Sequence, residues 1–168
     1  MYLVNVYLGG GCVYNAFYYE TDLGKIGIAE NGHAITHIYY GEIDLENLSF
    51  IETPLIKKAY EELCEYLEGK RKEFDLPLEL NGTEFQKKVW NALREIPYGK
   101  TCSYKEIAEK IGNPKACRAV GLANNRNPIS IIVPCHRVIG ANGKLVGYGG
   151  GLNIKEKLLE LEGTRRNK

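Results

Sequence analysis

The amino-acid sequence predicts an α+β fold, in which a small N-terminal domain with an antiparallel sheet and a helix precedes a mainly helical, winged-helix-like domain with a helix-turn-helix. Segments rich in Val, Ile and Tyr dominate the first 40 residues, as is typical of β-strands. The net charge changes between the halves: residues 1–80 carry 6 Lys/Arg and 14 Asp/Glu (net −8), and residues 81–168 carry 16 and 7 (net +9). We therefore predict two domains, residues 1–80 and 81–168.

The composition is that of an ordinary globular protein and excludes several classes. Of the 168 residues, 44% are hydrophobic and 26% are charged, which fits neither a disordered chain nor a fibre. No apolar run approaches the roughly 18 residues of a membrane span, and the first residues lack the basic and apolar regions of a signal peptide. We therefore expect no membrane partner.

The cysteines indicate a reducing compartment. Their number is odd, no pair has Cys-x-x-Cys spacing, and they stand at Cys12, Cys64, Cys102, Cys117 and Cys135. We expect the cytoplasm, or the nucleus if the source cell is nucleated. We expect no metal, because the available ligands match no usual zinc spacing; these are Cys12, His33, His37 and Cys64.

The N-terminal domain is predicted to form strands first and then one helix. The predicted strands are Leu3–Leu8, Val13–Tyr19, Lys25–Ala29 and His33–Tyr40. The helix is predicted from Pro54 to Leu67, because Pro suits the first turn and Gly69 suits the end. Apolar residues recur every four positions along it, at Leu55, Ala59, Leu63 and Leu67.

The C-terminal domain is predicted to be helical. Thr83 and Gln86 form the capping box of its first helix, whose predicted buried stripe is Phe85, Val89, Leu93 and Ile96. Ser103 and Glu106 form the capping box of a second helix, and a third runs from about Lys115 to Arg126 after the break at Gly112-Asn113-Pro114. Two short helices joined by a Gly-containing turn are typical of a helix-turn-helix.

The basic residues of the third helix suggest a polyanion as partner. Lys115, Arg118 and Arg126 alternate with small residues, which would let the helix approach a nucleic-acid backbone closely. The alternative is that the acidic and basic halves simply present surfaces of opposite sign that dock on each other.

The end of the chain contains a candidate nucleophile. The apolar run Ile129–Val133 predicts a buried strand that leads directly into Pro134-Cys135-His136. A working thiolate needs a base, and a histidine in that role needs a carboxylate to fix its tautomer. The closing helix, Asn153 to about Glu162, offers three carboxylates between which the residues alone do not choose, Glu156, Glu160 and Glu162. An inert buried cysteine fits the same pattern.

A longer set of motifs resembles one known family. The segment Pro134-Cys135-His136-Arg137-Val138 resembles the signature of the O6-alkylguanine-DNA alkyltransferases. The likeness extends from about Gly82 to Gly163 and includes Pro97-Tyr98-Gly99, Gly112-Asn113-Pro114, Arg118-Ala119-Val120-Gly121, Asn127-Pro128 and Gly147-Tyr148. The N-terminal half resembles the family's first, ribonuclease H-like domain only in size and element order.

The resemblance implies a single-turnover repair reaction. Cys135 would accept the alkyl group of O6-alkylguanine, and less readily that of O4-methylthymine, in double-stranded DNA. His136 would act as a base through water, and Glu162 would orient it. The thioether product would not be hydrolysed, so that each molecule, expected to be a monomer, would act once without a cofactor.

The resemblance also implies roles in DNA binding and in the base pocket. Tyr104 would lie beside the flipped nucleotide and donate to the leaving base, and Arg118 would replace the extruded base in the duplex. Lys115 and Arg126 would contact phosphates. The remaining positions divide into pocket lining (Tyr148, Gly149 and Val138) and structural support (Asn127 and Arg137).

Two positions depart from the pattern of some family members. Gly149 stands where some have serine, and Ser130 where some have a proline that walls the pocket, which bears on whether bulky alkyl groups fit. Three alternative functions remain to be distinguished: a non-catalytic alkyltransferase-like protein, which would lack the acceptor cysteine; a winged-helix transcription regulator; and a cysteine hydrolase.

Overall fold

The computed structural model describes residues 13–164. Its N-terminal part is a four-stranded sheet with strand order β3-β2-β1-β4. The strands are β1 (Tyr14–Thr21), β2 (Gly24–Glu30), β3 (Ile35–Tyr40) and β4 (Leu48–Phe50). β1, β2 and β3 pair antiparallel, as predicted, in a register that sets Phe17 opposite Ile28 and Ile28 opposite Ile38. The predicted strand Leu3–Leu8 lies outside the described residues.

The fourth strand was not predicted. β4 pairs with β1 in parallel, which makes the sheet mixed rather than purely antiparallel while leaving the α+β class confirmed. A three-residue strand is too short to show an alternating pattern, so the sequence carried no signal for it.

Helix α1 covers one face of this sheet. It spans Pro54–Leu67, the predicted bounds, and the side chain of Thr53 caps it. Its buried apolar residues are Ile56, Ala59, Leu63 and Tyr66, whereas Leu55 and Leu67 are only partly buried. The buried stripe alternates spacings of three and four, because a strict spacing of four drifts around a helix of 3.6 residues per turn.

The C-terminal part contains the predicted helices. They are α2 (Glu84–Arg94), α3 (Tyr104–Lys110), α4 (Cys117–Asn125) and α5 (Leu152–Leu161). Both predicted capping boxes are present, at Thr83 and at Ser103. Two-residue strands, β5 (Cys102–Ser103) and β6 (Val138–Ile139), pair in parallel. Trp90 Nε1 of α2 donates to the carbonyl of Ala123 at 2.8 Å, which fixes α4 against α2.

The segment before Cys135 is a buried turn, and the predicted strand Ile129–Val133 is wrong. Ile131 has a φ of 73°, and the amide of Val133 donates to the carbonyl of Ile129. The run is apolar because both domains bury it, and burial alone does not distinguish a strand from a turn. The beginning of this turn is hydrogen-bonded to the edge strand β3: Ile38 N donates to Pro128 O at 2.8 Å, and Ser130 N donates to Ile38 O at 3.2 Å.

Within residues 13–164, no helix has both the length and the apolar character needed to cross a membrane.

Candidate active site

Cys135 lies at the junction of the two domains on tightly held backbone. The residue begins a single turn of 3-10 helix, Cys135–Arg137, and is 4% exposed. Its amide donates to Val133 O at 2.8 Å, and its carbonyl accepts from Asn124 Nδ2 at 3.4 Å. The thiol is therefore presented by a fixed main chain rather than by a mobile loop.

The surroundings of the thiol both oppose and support its ionisation. Burial raises the pKa of Cys135, whereas the neighbouring polar side chains of Asn127 and Tyr148 and the positive charge of Lys155 work in the opposite direction. Since the thiolate is the nucleophile, these three groups supply what a buried sulfur anion needs. Asn127 also ties the local chain together, because its Nδ2 donates to Val133 O at 2.7 Å and its Oδ1 accepts from Ile129 N at 3.0 Å.

Near the cysteine, the carboxylate of Glu162 accepts hydrogen bonds from several donors. Glu162, which caps the end of α5, accepts from Arg137 Nε and Nη2, both at 2.9 Å, and from Gly99 N at 3.1 Å. It also accepts from Tyr66 OH at 2.6 Å and lies 2.8 Å from His136 Nε2. Although burial alone would raise the pKa of Glu162, these hydrogen bonds lower it to about 2. Of the three candidate carboxylates, Glu162 is the one that meets His136.

The bond to Glu162 fixes the tautomer of His136. The ring is fully buried, and burial, with the charges of Arg137 and Lys155, lowers its pKa although the neighbouring carboxylate raises it. In a neutral ring whose Nε2 hydrogen points at Glu162, Nδ1 carries the lone pair. Nδ1 hydrogen-bonds to no protein atom among the described residues. This nitrogen is the one that can take up a proton.

Aromatic side chains form the rim of the site. Tyr104 begins α3, and its hydroxyl donates to Val146 O at 3.0 Å. Burial raises the pKa of Tyr104, as does the negative charge of a Cys135 thiolate, so the ring lies near the sulfur. Tyr148 is half-buried in the loop before α5, next to the exposed Gly149. Val138 is fully buried on β6.

The basic residues predicted to bind DNA lie on the surface. Lys115 lies in the turn before α4, which begins two residues later than predicted, while Arg118 is on the helix and Arg126 ends it. All three are exposed, and within the part of the chain that the structure describes none forms an ion pair. By contrast, Lys110 is paired with Glu95 at 2.8 Å.

The structure brings three further residues to the site that the sequence analysis missed. Lys155 is fully buried on α5, and its Nζ donates to Val146 O at 3.0 Å. A lysine between Ile154 and Leu158, on the apolar face of the last helix, was a signal that could have revealed it. Tyr66 and Tyr40 come from the N-terminal domain, and no local pattern connects them with the cysteine.

The fold and the site together define a class: a DNA-binding protein in which a helix-turn-helix domain holds a buried cysteine backed by histidine, carboxylate and arginine. Comparison with known proteins specifies the family. Residues 84–164 match the family model described as 6-O-methylguanine DNA methyltransferase, DNA binding domain, and residues 13–80 match the one described as its ribonuclease-like domain. The chain belongs to the 6-O-methylguanine DNA methyltransferase family.

Individual relatives agree with this assignment. The chain is 53% identical over 154 residues to a methylated-DNA–protein-cysteine methyltransferase of Methanosarcina acetivorans, covering 87% of this chain and 96% of the relative. It is 51% identical over 149 residues to one of Mycobacterium bovis, covering 87% and 90%. The crystal structure of Mycobacterium tuberculosis OGT in complex with DNA superimposes with a TM-score of 0.84 at 48% identity, covering 88% and 92%. The predicted fold class and family resemblance are confirmed.

Proposed function

We propose that this protein repairs DNA by moving the alkyl group of O6-alkylguanine onto Sγ of Cys135, once per molecule. The thiolate attacks the alkyl carbon, the S–C bond forms, and the C–O6 bond breaks with its electron pair on the guanine oxygen. A proton then neutralises the departing base. The observation that carries this proposal is the buried series Cys135, His136 and Glu162, with the last two 2.8 Å apart.

Each part of that series has a chemical task. His136 Nδ1 takes the thiol proton through water, while Glu162 keeps the ring in the required tautomer and stabilises the imidazolium that forms. Arg137 neutralises the buried carboxylate by a two-pronged ion pair. Asn127, Tyr148 and Lys155 stabilise the sulfur anion before it attacks.

The burial of Cys135 requires the target base to leave the duplex. Because Cys135 is only 4% exposed, its thiol cannot approach an O6 atom inside a base stack. The nucleotide must therefore be extruded, at a cost of a few kcal/mol. Arg118 on α4 enters the space left behind, and Lys115 and Arg126 contact phosphates. Tyr104 donates to the leaving base. Tyr148, Gly149 and Val138 line the pocket that receives it.

Further aspects of the function belong to the same proposal. O4-methylthymine is a weaker substrate, the protein acts as a monomer on double-stranded DNA, and the boundary between its domains falls at residue 80. It needs no cofactor, because the acceptor is part of the chain. A reducing compartment, the cytoplasm or a nucleus, keeps the acceptor as a thiol.

The alternatives make different predictions. A non-catalytic lesion-flagging protein would not need Cys135 or the cluster behind it. A transcription regulator would prefer one DNA sequence, whereas a repair protein must inspect any guanine. A cysteine hydrolase would turn over repeatedly and would not require DNA.

Intact-mass measurement tests the proposal directly. After incubation with a duplex carrying O6-methylguanine, the protein should gain the mass of one methylene group, located on the peptide that contains Cys135. Cys135→Ala should gain nothing and still bind DNA, while Cys64→Ala, which changes a partly buried thiol on α1, should react like the wild type. Repeated turnover, or a methyl group on another residue, would overturn the proposal.

A further inference from the structure

The N-terminal domain touches the wall of the base pocket through Tyr40. This residue ends β3, and its hydroxyl lies 2.8 Å from the hydroxyl of Tyr148, with the two rings edge to face at 5.8 Å. The loop that carries Tyr148 rests on the same ring, since a Cβ on Gly150 would lie 2.6 Å from Tyr40 Cδ2. The contact joins residues 108 positions apart in the sequence.

Hydroxyl chemistry decides the direction of this hydrogen bond. A tyrosine hydroxyl has one proton to donate and can accept at the same time. Tyr148 also lies near the sulfur of Cys135, since burial and a negative charge on that sulfur both raise the pKa of Tyr148, and Tyr148 in turn favours the thiolate. A thiolate can only accept a hydrogen bond. When Tyr148 gives its proton to the thiolate, the hydrogen bond between the two tyrosines has to be donated by Tyr40.

We propose that Tyr40 is a positioning residue for alkyl transfer, which donates its hydroxyl proton to Tyr148 and so keeps the proton of Tyr148 directed at the Cys135 thiolate. This inference rests on the proposed function and assigns a part in it to the N-terminal domain. Without the Tyr40 hydroxyl, Tyr148 lies in a loop of four glycines, Gly147 and Gly149–Gly151, whose backbone resists rotation weakly.

The fold holds Tyr40 firmly enough for this task. Two residues earlier, Ile38 exchanges backbone hydrogen bonds with Pro128 and Ser130 of the C-terminal domain. The neighbouring residue Tyr39 points to the opposite face of the sheet, where it packs against the small cluster of Ala16, Ala29 and Ile43. Tyr39 is therefore a matched control, with the same side chain on the same strand.

Several titratable groups surround the thiol, so the test must isolate one of them. They come from every element packed there: Tyr104 of α3, Lys155 of α5, Tyr148 of the loop, Tyr40 of β3 and His136 next in the chain. Tyr40→Phe removes one hydroxyl and leaves the ring that packs on Gly150. Gly150→Ala does the reverse, because it keeps the hydroxyl and pushes the loop away from the ring.

The experiment measures single-turnover methyl transfer from an O6-methylguanine duplex to the full-length protein across a pH series. Tyr40→Phe should slow transfer near neutral pH by about threefold to tenfold, the scale of one lost hydrogen bond, and should move the midpoint of the profile to higher pH. Gly150→Ala should move it the same way, and Tyr39→Phe should not. In Tyr40→Phe/Tyr148→Phe, the rate should equal that of Tyr148→Phe alone, since Tyr40 acts only through Tyr148.

The outcomes separate the two levels of inference. An unchanged midpoint in Tyr40→Phe, an equal slowing at every pH, or an effect that adds to that of Tyr148→Phe would overturn the role of Tyr40. A wild-type protein that accepts no methyl group would instead overturn the proposed function. Thermal unfolding of each variant shows whether it is folded. If Tyr40→Phe does not fold, the pH profile of Gly150→Ala still tests the contact between Tyr40 and the loop.

Discussion

The two domains contribute different chemistry to the place where they meet. Among the described residues, the charged groups at the site belong to the C-terminal domain, namely Arg137, Lys155 and Glu162. The N-terminal domain contributes neutral hydroxyls: that of Tyr66 donates to Glu162, and that of Tyr40 is hydrogen-bonded to the hydroxyl of Tyr148. These charges are buried, whereas Arg118, on the face that we propose binds DNA, is exposed.

This difference predicts a hierarchy of effects. Removing one partner of a buried ion pair leaves a charge without compensation and costs about 3–5 kcal/mol. Removing a neutral hydroxyl from a buried hydrogen bond costs about 1 kcal/mol. The C-terminal domain should therefore determine whether the site exists, and the N-terminal domain how well it is arranged.

The largest effect is expected at Glu162. Glu162→Gln keeps the shape of the side chain but leaves Arg137, which is 7% exposed, without its counter-charge, and it releases the tautomer of His136. We expect a loss of about 3–5 kcal/mol in the free energy of unfolding and a strong reduction of methyl transfer. Urea unfolding measures the first, with Glu160→Gln on the same helix as control. Equal stability of the two variants would show that the ion pair of Glu162 with Arg137 does not stabilise the domain.

A smaller effect, confined to DNA, is expected at Arg118. If this exposed cation fills the gap left by the flipped base, Arg118→Ala loses a stacking contribution of about 1–3 kcal/mol, and duplex repair slows by roughly tenfold to a hundredfold. The free base O6-methylguanine needs no flipping, so its reaction with Cys135 should be nearly unchanged. Tyr104→Phe should slow both substrates if its hydroxyl donates to the leaving base, as proposed above.

Parallel rates on duplex and free base separate these roles. Lys105→Ala, which removes a surface cation of α3 that is paired with Glu109 at 3.8 Å, is the control for loss of charge. Equal slowing of both substrates by Arg118→Ala would mean that Arg118 supports the pocket and is not an intercalating side chain.

Local sequence signals predicted the parts of this molecule that depend on local physics. The bounds of α1 and the capping boxes of α2 and α3 follow from residues within a few positions of each other, and all are confirmed. The apolar run Ile129–Val133 predicts a strand but forms a turn, because its apolar character comes from burial by both domains. Glu162 was undecided from the residues alone, since three carboxylates shared one helix. Tyr66 and Tyr40 could not be found, because only tertiary structure brings them to the site.

The hydroxyl of Tyr66 tests the contribution of the N-terminal domain more directly. It donates to Glu162 Oε1 at 2.6 Å and lies 3.4 Å from His136 Nε2, and both burial and that carboxylate raise the pKa of Tyr66. Tyr66→Phe should lower the free energy of unfolding by about 1–2 kcal/mol and slow transfer severalfold, less than Glu162→Gln does. Tyr60→Phe, on the same helix with its ring stacked on Tyr19, should change neither. An effect as large as that of Glu162→Gln would contradict the hierarchy.

The smallest effect concerns the response of each domain to acid. Burial lowers the pKa of His37 on β3 to about 4, whereas an unfolded histidine binds a proton below about 6.5. Between these values the unfolded state binds more protons, so stability falls as the pH falls; His136, whose pKa burial also lowers, adds to the same slope. Glu162, with a pKa of about 2, contributes stability that is fully present above the ordinary carboxyl pKa of about 4.5 and is lost only as the pH falls towards 2. Acid should therefore weaken the histidine sites first and the ion pair of Glu162 with Arg137 last.

Urea titrations at pH 7 and pH 5 measure this response. Between the two conditions, the free energy of unfolding of His37→Gln should fall by on the order of 1 kcal/mol less than that of the wild type, a figure reduced because the ring is partly exposed. His33→Gln, which changes an exposed histidine of the preceding turn, should follow the wild type. Identical slopes for His37→Gln and the wild type would place the acid sensitivity entirely in the C-terminal domain.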